Sequence, residues 1–101
     1  MPRNREKETL LFDYYSELLT EHQRNVLDEY FNEDLSMNEI ADNLNISKSA
    51  VQDLIKRAIK QMQEYEDKLS LIKKGKQIKL ILDKIKDDNI DKYIKEIESL
   101  I

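Results

Sequence analysis

Lys48, Ser49, Gln52, Asp53, Lys56 and Arg57 crowd into one short stretch of predicted helix. Their chemistry suits the edge of a nucleic-acid groove. A glutamine amide pairs with adenine, and lysine or arginine pairs with guanine or with phosphate oxygens. Gln52 is therefore a candidate adenine reader, and Lys48, Lys56 and Arg57 are candidates for guanine or phosphate. Asp53 opposes that use. A carboxylate in the middle of such a surface repels phosphate unless it accepts from a cytosine amine or pairs with Arg57 at i+4. The alternative is a solvated helix face with no ligand.

A second basic feature is the run Lys68, Lys73, Lys74, Lys76 and Lys79, which no acidic residue interrupts. Such a tract either follows an RNA or DNA backbone, with Gly75 letting the chain bend, or forms a charged joint between helices. The candidate nucleic-acid-binding residues are thus Lys48, Ser49, Gln52, Lys56, Arg57, Lys73, Lys74 and Lys76. Catalysis finds no comparable constellation. His22 is the only histidine, cysteine is absent, and Glu6, Asp13, Glu17 and Glu39 lack metal-ligand spacing. There is no glycine-rich phosphate loop. Neither a catalytic residue, a metal nor a cofactor is expected.

These residues must be positioned by helices. One glycine and one proline leave almost nothing to turn a sheet, while 38% charged and 40% hydrophobic residues suit amphipathic helices. Leu10, Leu11, Tyr14, Tyr15, Leu18 and Leu19 predict a first helix from about Arg5 to Leu19. Thr20–Gln23 is a capping box for a second helix with Val26, Leu27, Tyr30 and Phe31 inward. Ser36–Glu39 is another, opening a short third helix to about Asn43 whose apolar positions are Ile40, Ala41 and Leu44. The turn Asn43–Ile46 uses asparagine's tolerance of the left-handed backbone region, with Leu44 and Ile46 pointing inward. Ser47 caps a fourth helix that buries Ala50, Val51, Leu54, Ile55, Ala58 and Met62 and meets no breaker before Gly75. Its stripe continues through Tyr65, Leu69 and Ile72.

Lys73–Lys76 is the expected joint to a fifth helix over Gln77–Lys86, burying Ile78, Ile81, Leu82 and Ile85. Asp87–Asn89 ends it, and Ile90, Tyr93, Ile94, Ile97 and Leu100 mark a last helix. The fold class is all-α, with a winged-less helix-turn-helix domain over 1–70. A C-terminal helical extension over 71–101 packs either on the same core or on a second subunit. Self-association as a homodimer is open on this pattern.

Charge bounds the partners. Seventeen Lys and Arg against 21 Asp and Glu give a net charge of −4, whereas most nucleic-acid binders lean basic. The excess sits in the first part: residues 1–63 carry 8 basic and 12 acidic side chains, and residues 64–101 carry 9 of each. The start of the chain lacks the apolar run of a signal peptide, and no stretch reaches the ~20 apolar residues of a membrane span. A cytoplasmic protein without membrane insertion is expected.

Residues 19–69 resemble the region of bacterial sigma factors that recognises the promoter −35 element. The likeness rests on Leu19–Arg24, Ser36–Ala41 and Ala50–Ala58. With the opening Leu11–Thr20, its Phe12-x-Tyr14-Tyr15, the segment Asp53–Arg57 and the continuation Tyr65–Leu69, nearly the whole chain resembles the YlxM family of Gram-positive bacteria and mycoplasmas. That resemblance implies a helix-turn-helix protein associated with the signal recognition particle. Family genes lie beside those for the particle GTPase Ffh and its receptor FtsY, and the implied role is regulatory, through Ffh or the small RNA. Lys48, Ser49, Gln52, Asp53 and Arg57 match the sigma DNA-reading face, but acidic Asp53 stands where sigma factors have a neutral or basic reader. Two functions follow as expectations: an accessory protein binding the particle GTPase and/or its small RNA, and a DNA-binding transcriptional regulator.

Overall fold

Side-chain oxygens set just ahead of apolar runs start the first four helices. The computed structural model describes residues 4–85 and 90–101, and every regular element among them is helical. Asn4 caps α1 (Arg5–Tyr15) by accepting from the Lys7 N–H at 3.0 Å. Reciprocal capping boxes open α2 (Glu21–Phe31) at Thr20 and Gln23, and α3 (Met37–Leu44) at Ser36 and Glu39. The Ser47 hydroxyl accepts from the Ala50 N–H at 3.0 Å in the first turn of α4 (Lys48–Leu69). Each cap satisfies donors that a helix start leaves open, worth about 1 kcal/mol. Two further helices follow, α5 (Leu71–Lys84) and α6 (Asp91–Glu98). The chain divides into two compact units, Met1–Leu69 and Ser70–Ile101.

In the first unit α4 packs against α1, α2 and α3. Val51, Ile55, Ala58 and Met62 recur at three- and four-residue spacing and are all fully buried. Leu11, Phe12, Tyr15, Leu19, Val26, Leu27, Tyr30, Ile40 and Ala41 complete that core. Polar side chains tie its margins. The Tyr15 hydroxyl donates to Glu66, Gln23 donates to Gln61 at 3.3 Å, and Gln61 donates to the Tyr65 hydroxyl at 3.0 Å. At the other end Arg5 donates to the Tyr30 carbonyl at 2.7 Å. Its guanidinium also sits 4.3 Å from the Tyr30 ring centre, fastening the start of α1 to the end of α2.

Between α3 and α4 the chain reverses on Asn45, at φ 56° and ψ 42°. The Ile46 N–H donates to the Ala41 carbonyl at 3.1 Å and the Asn45 N–H to Asp42 at 3.4 Å, the paired bonds of a Schellman stop. Asn45→Ala is therefore expected to cost about 1 kcal/mol in urea unfolding, and Asn45→Gly close to nothing. Equal losses from both would show that the left-handed backbone is not what Asn45 supplies.

Several expectations change. The spacing predicts a first helix reaching Leu19, but α1 ends at Tyr15 and Ser16–Leu18 form a 3₁₀ turn. This tighter winding leaves Leu18 49% exposed while Leu19 is buried. Leu44 and Leu54 are only half-buried, and Ile46 and Ala50 are exposed. The predicted joint at Lys73–Lys76 is also displaced. The helix breaks at Ser70, in the left-handed region with φ 56°, and Gly75 is buried inside α5. One glycine weakens a helix by only ~1 kcal/mol, so it does not compel a break. Of the four residues predicted to be buried on the fifth helix, only Leu82 is; Ile78, Ile81 and Ile85 are exposed. Ile72 is buried on α5 and does not extend the stripe of α4. The predicted break at Asp87–Asn89, like the predicted fifth-helix end at Lys86, lies outside the described residues.

Candidate nucleic-acid interface

The buried stripe of α4 fixes its rotation, so the opposite side faces solvent. Lys48, Ser49, Gln52, Asp53, Lys56 and Arg57 are all exposed there. Arg57 Nε lies 3.0 Å from Asp53 Oδ2, across one helical turn. Of the roles open to Asp53, the structure shows the i+4 pairing. That pair cancels its own charge, and Lys48, Lys56 and the exposed Lys60, one turn beyond Lys56, remain as net cations on this face. Both partners are well exposed, so the bond contributes at most ~0.5 kcal/mol to stability. Its importance is electrostatic, at the centre of the surface that a groove reader would present.

The neighbouring helix adds to the difficulty. In a helix-turn-helix the first helix crosses the phosphate backbone. Here that helix is α3, which carries exposed Glu39 and Asp42 and no lysine or arginine. Across residues 1–69 the sequence has 9 basic and 15 acidic side chains. Nothing in composition alone had singled out α3; its two acids become relevant once the turn places it ahead of α4.

The lysines of α5 lie in a different setting. Lys73, Lys74, Lys76 and Lys79 are exposed, and no acidic residue occurs on α5 before Asp83. They do not form one stripe. At about 100° per residue, Lys73, Lys76 and Lys84 fall within roughly 80° of one another, whereas Lys74 lies on the flank of Ile78, Ile81 and Ile85. Lys84 was not among the sequence candidates. Its i+8 and i+11 spacing to Lys76 and Lys73 becomes meaningful only because the helix runs unbroken through Gly75. The lysines are thus displayed on a continuous helix, where a bending joint was expected. Lys68 belongs to the last turn of α4 in the first unit.

Among the described residues no three His, Cys, Asp or Glu side chains are grouped as metal ligands would be. His22 is exposed in the first turn of α2. No helix of the described residues is long and apolar enough to cross a membrane.

Two helices are joined by this left-handed turn, and the regular elements of the described residues are all helical. The family model for UPF0122, described as "Putative helix-turn-helix protein, YlxM / p13 like", matches residues 3–100. The chain belongs to the UPF0122 family. A UPF0122 protein of Clostridium novyi (strain NT) is 46% identical over 83% of this chain and 76% of its own. One from Clostridium perfringens (strain 13 / Type A) is 44% identical over 92% of this chain and 91% of its own. Another, from Oceanobacillus iheyensis, is 43% identical over 85% and 82%. The YlxM likeness carried by Phe12-x-Tyr14-Tyr15 and Asp53–Arg57 is therefore real. In this UPF0122 protein Phe12 and Tyr15 are core residues, while Asp53 and Arg57 form the exposed pair.

Proposed function

We propose that this UPF0122 protein is a non-enzymatic regulatory protein of the signal recognition particle pathway. It binds the particle's small RNA, alone or together with the particle GTPase, along α5. It acts by binding, with no chemical step. The observation that carries the RNA surface is the contrast between the two basic features. On α4 the central arginine is paired with Asp53 at 3.0 Å, whereas α5 sets five lysines, with Lys73, Lys76 and Lys84 on one side, against a single acidic residue, Asp83. The particle is the RNA's source because the YlxM likeness implies an accessory role beside Ffh. Phosphate contacts of this kind position a helix on an RNA backbone without reading sequence.

The purified protein should be titrated against the small RNA, the GTPase, their complex and random duplex DNA, at two salt concentrations. Binding to RNA or to the complex should be far tighter than to duplex DNA and should weaken as salt rises. Binding to the GTPase alone, with little salt dependence, would keep the pathway and remove the RNA surface. No binding to any of the three would sink the proposal.

A DNA-binding regulator is the second reading, favoured by the intact turn and by Lys48, Ser49 and Gln52 exposed at the start of α4. Asp53→Ala separates the two. It should leave folding stability within about 0.5 kcal/mol and leave RNA affinity unchanged. If α4 enters a groove, the same change removes a repulsive charge and frees Arg57, and affinity for duplex DNA rises roughly tenfold at low salt.

A further inference from the structure

The second unit leaves apolar surface open that its own helices do not cover. On α5, Ile78, Ile81 and Ile85 are 37%, 58% and 53% exposed. Their three- and four-residue spacing makes one stripe, which also carries Lys74 and whose isoleucines lie about 80° to 180° around the helix from Lys73 and Lys76. Tyr93, Ile97 and Leu100 repeat the pattern at the end of the chain, at 56%, 43% and 84%. The three α5 side chains leave on the order of 300 Å² open per copy and the three at the end of the chain a similar area, against the ~800 Å² that one side of a standard stable interface buries.

We propose that this stripe is the contact surface for a second copy of the same chain, forming a symmetric dimer through Ser70–Ile101. Three observations select that occupant. In the described part of the unit the large buried apolar side chains are Ile72, Leu82 and Ile94, a thin core for so short a segment. Segments below about 40 residues usually need a metal, a disulfide or association to hold their fold, and this chain has no cysteine. The described residues of the first unit offer no matching stripe: the large exposed apolar ones among them are Leu18, Ile46 and Leu69, on three separate elements. Charge points the same way. Residues 70–101 carry 8 Lys against 6 Asp and Glu, so two such segments meet with little repulsion, while two first units would bring 15 acidic and 9 basic side chains against the same set. A self-complementary stripe closes as an isologous pair, in which the same isoleucines meet across a twofold axis. This dimer does not depend on which nucleic acid the lysines bind.

Light scattering on the full chain should return twice its 12.1 kDa mass at micromolar concentration. Ile81→Asp should weaken dimerisation by roughly 100-fold or more while helical circular dichroism is retained, since it buries a charge in the contact but touches no core residue of the first unit. A cysteine-free chain also permits a second measurement on the otherwise unaltered fold. Ile85→Cys should cross-link between copies with a short bismaleimide, and Asn43→Cys on α3 should not. A monomeric parent chain, a dimer indifferent to Ile81→Asp, or cross-linking through position 43 in place of 85 would each overturn the proposal.

Discussion

Ile55→Ala is expected to lower the unfolding free energy by about 2–5 kcal/mol, against total stabilities of ~5–15 kcal/mol for domains of this kind. Ile55 is fully buried on α4, the helix that packs against α1, α2 and α3 together. Removing its outer carbons loses their transfer energy and leaves a cavity in the core of the first unit. Ile46→Ala deletes the same atoms from a side chain 38% exposed at the turn, and should cost less than about 1 kcal/mol. The comparison isolates burial from chemistry. Urea denaturation followed by circular dichroism measures both, with the slope unchanged if the unfolded chain is unaffected. Equal costs at the two positions would mean that α4 is not the centre of the core.

Lys73→Glu combined with Lys76→Glu is expected to reduce affinity for the particle RNA by about 100-fold or more at ~0.1 M salt. Each change removes a cation that displaces a counterion from phosphate and installs a repelling charge. The dependence of log affinity on log salt should flatten by about 0.7 for each phosphate that α5 no longer neutralises. Both side chains are exposed on α5, and glutamate is a good helix former, so helix content should survive. Lys74→Glu, on the other flank, should have the smaller effect on RNA. Parity between Lys74→Glu and the double reversal would rule out a single lysine side on α5 as the contact.

The helix starts were legible because the chemistry that sets them is local. Thr20 with Gln23 and Ser36 with Glu39 need only a hydroxyl and an amide or carboxylate three residues apart, and both pairs form as their spacing predicts. Asn45 is readable for the same reason, since its left-handed conformation is tolerated by few residues other than glycine. The joint between α4 and α5 was not. Ser70 takes that conformation without any propensity for it, while Gly75, the residue with that freedom, stays helical and buried. Local conformational preference therefore predicts neither position. Apolar periodicity marked α5 and α6 as amphipathic, but periodicity identifies a side that wants cover without saying whether cover exists. Ile78, Ile81 and Ile85 show the difference.

The candidate interface was legible in outline. The i+4 spacing of Asp53 and Arg57 allowed their pairing, and the structure closes it at 3.0 Å. The grouping of lysines was less so. A run written as Lys73, Lys74 and Lys76 looks continuous along the chain, yet a helix distributes it over two flanks and brings in Lys84 from about two turns away.

Whether α5 or the helix-turn-helix meets RNA can be read from amide shift mapping of the full chain during titration with the particle's small RNA. Perturbations should concentrate between Lys73 and Lys84, strongest beside Lys73, Lys76 and Lys84, with Lys48–Arg57 nearly unmoved. Perturbations centred on Lys48–Arg57, with α5 unchanged, would overturn the assignment to α5 and make the helix-turn-helix the binding surface.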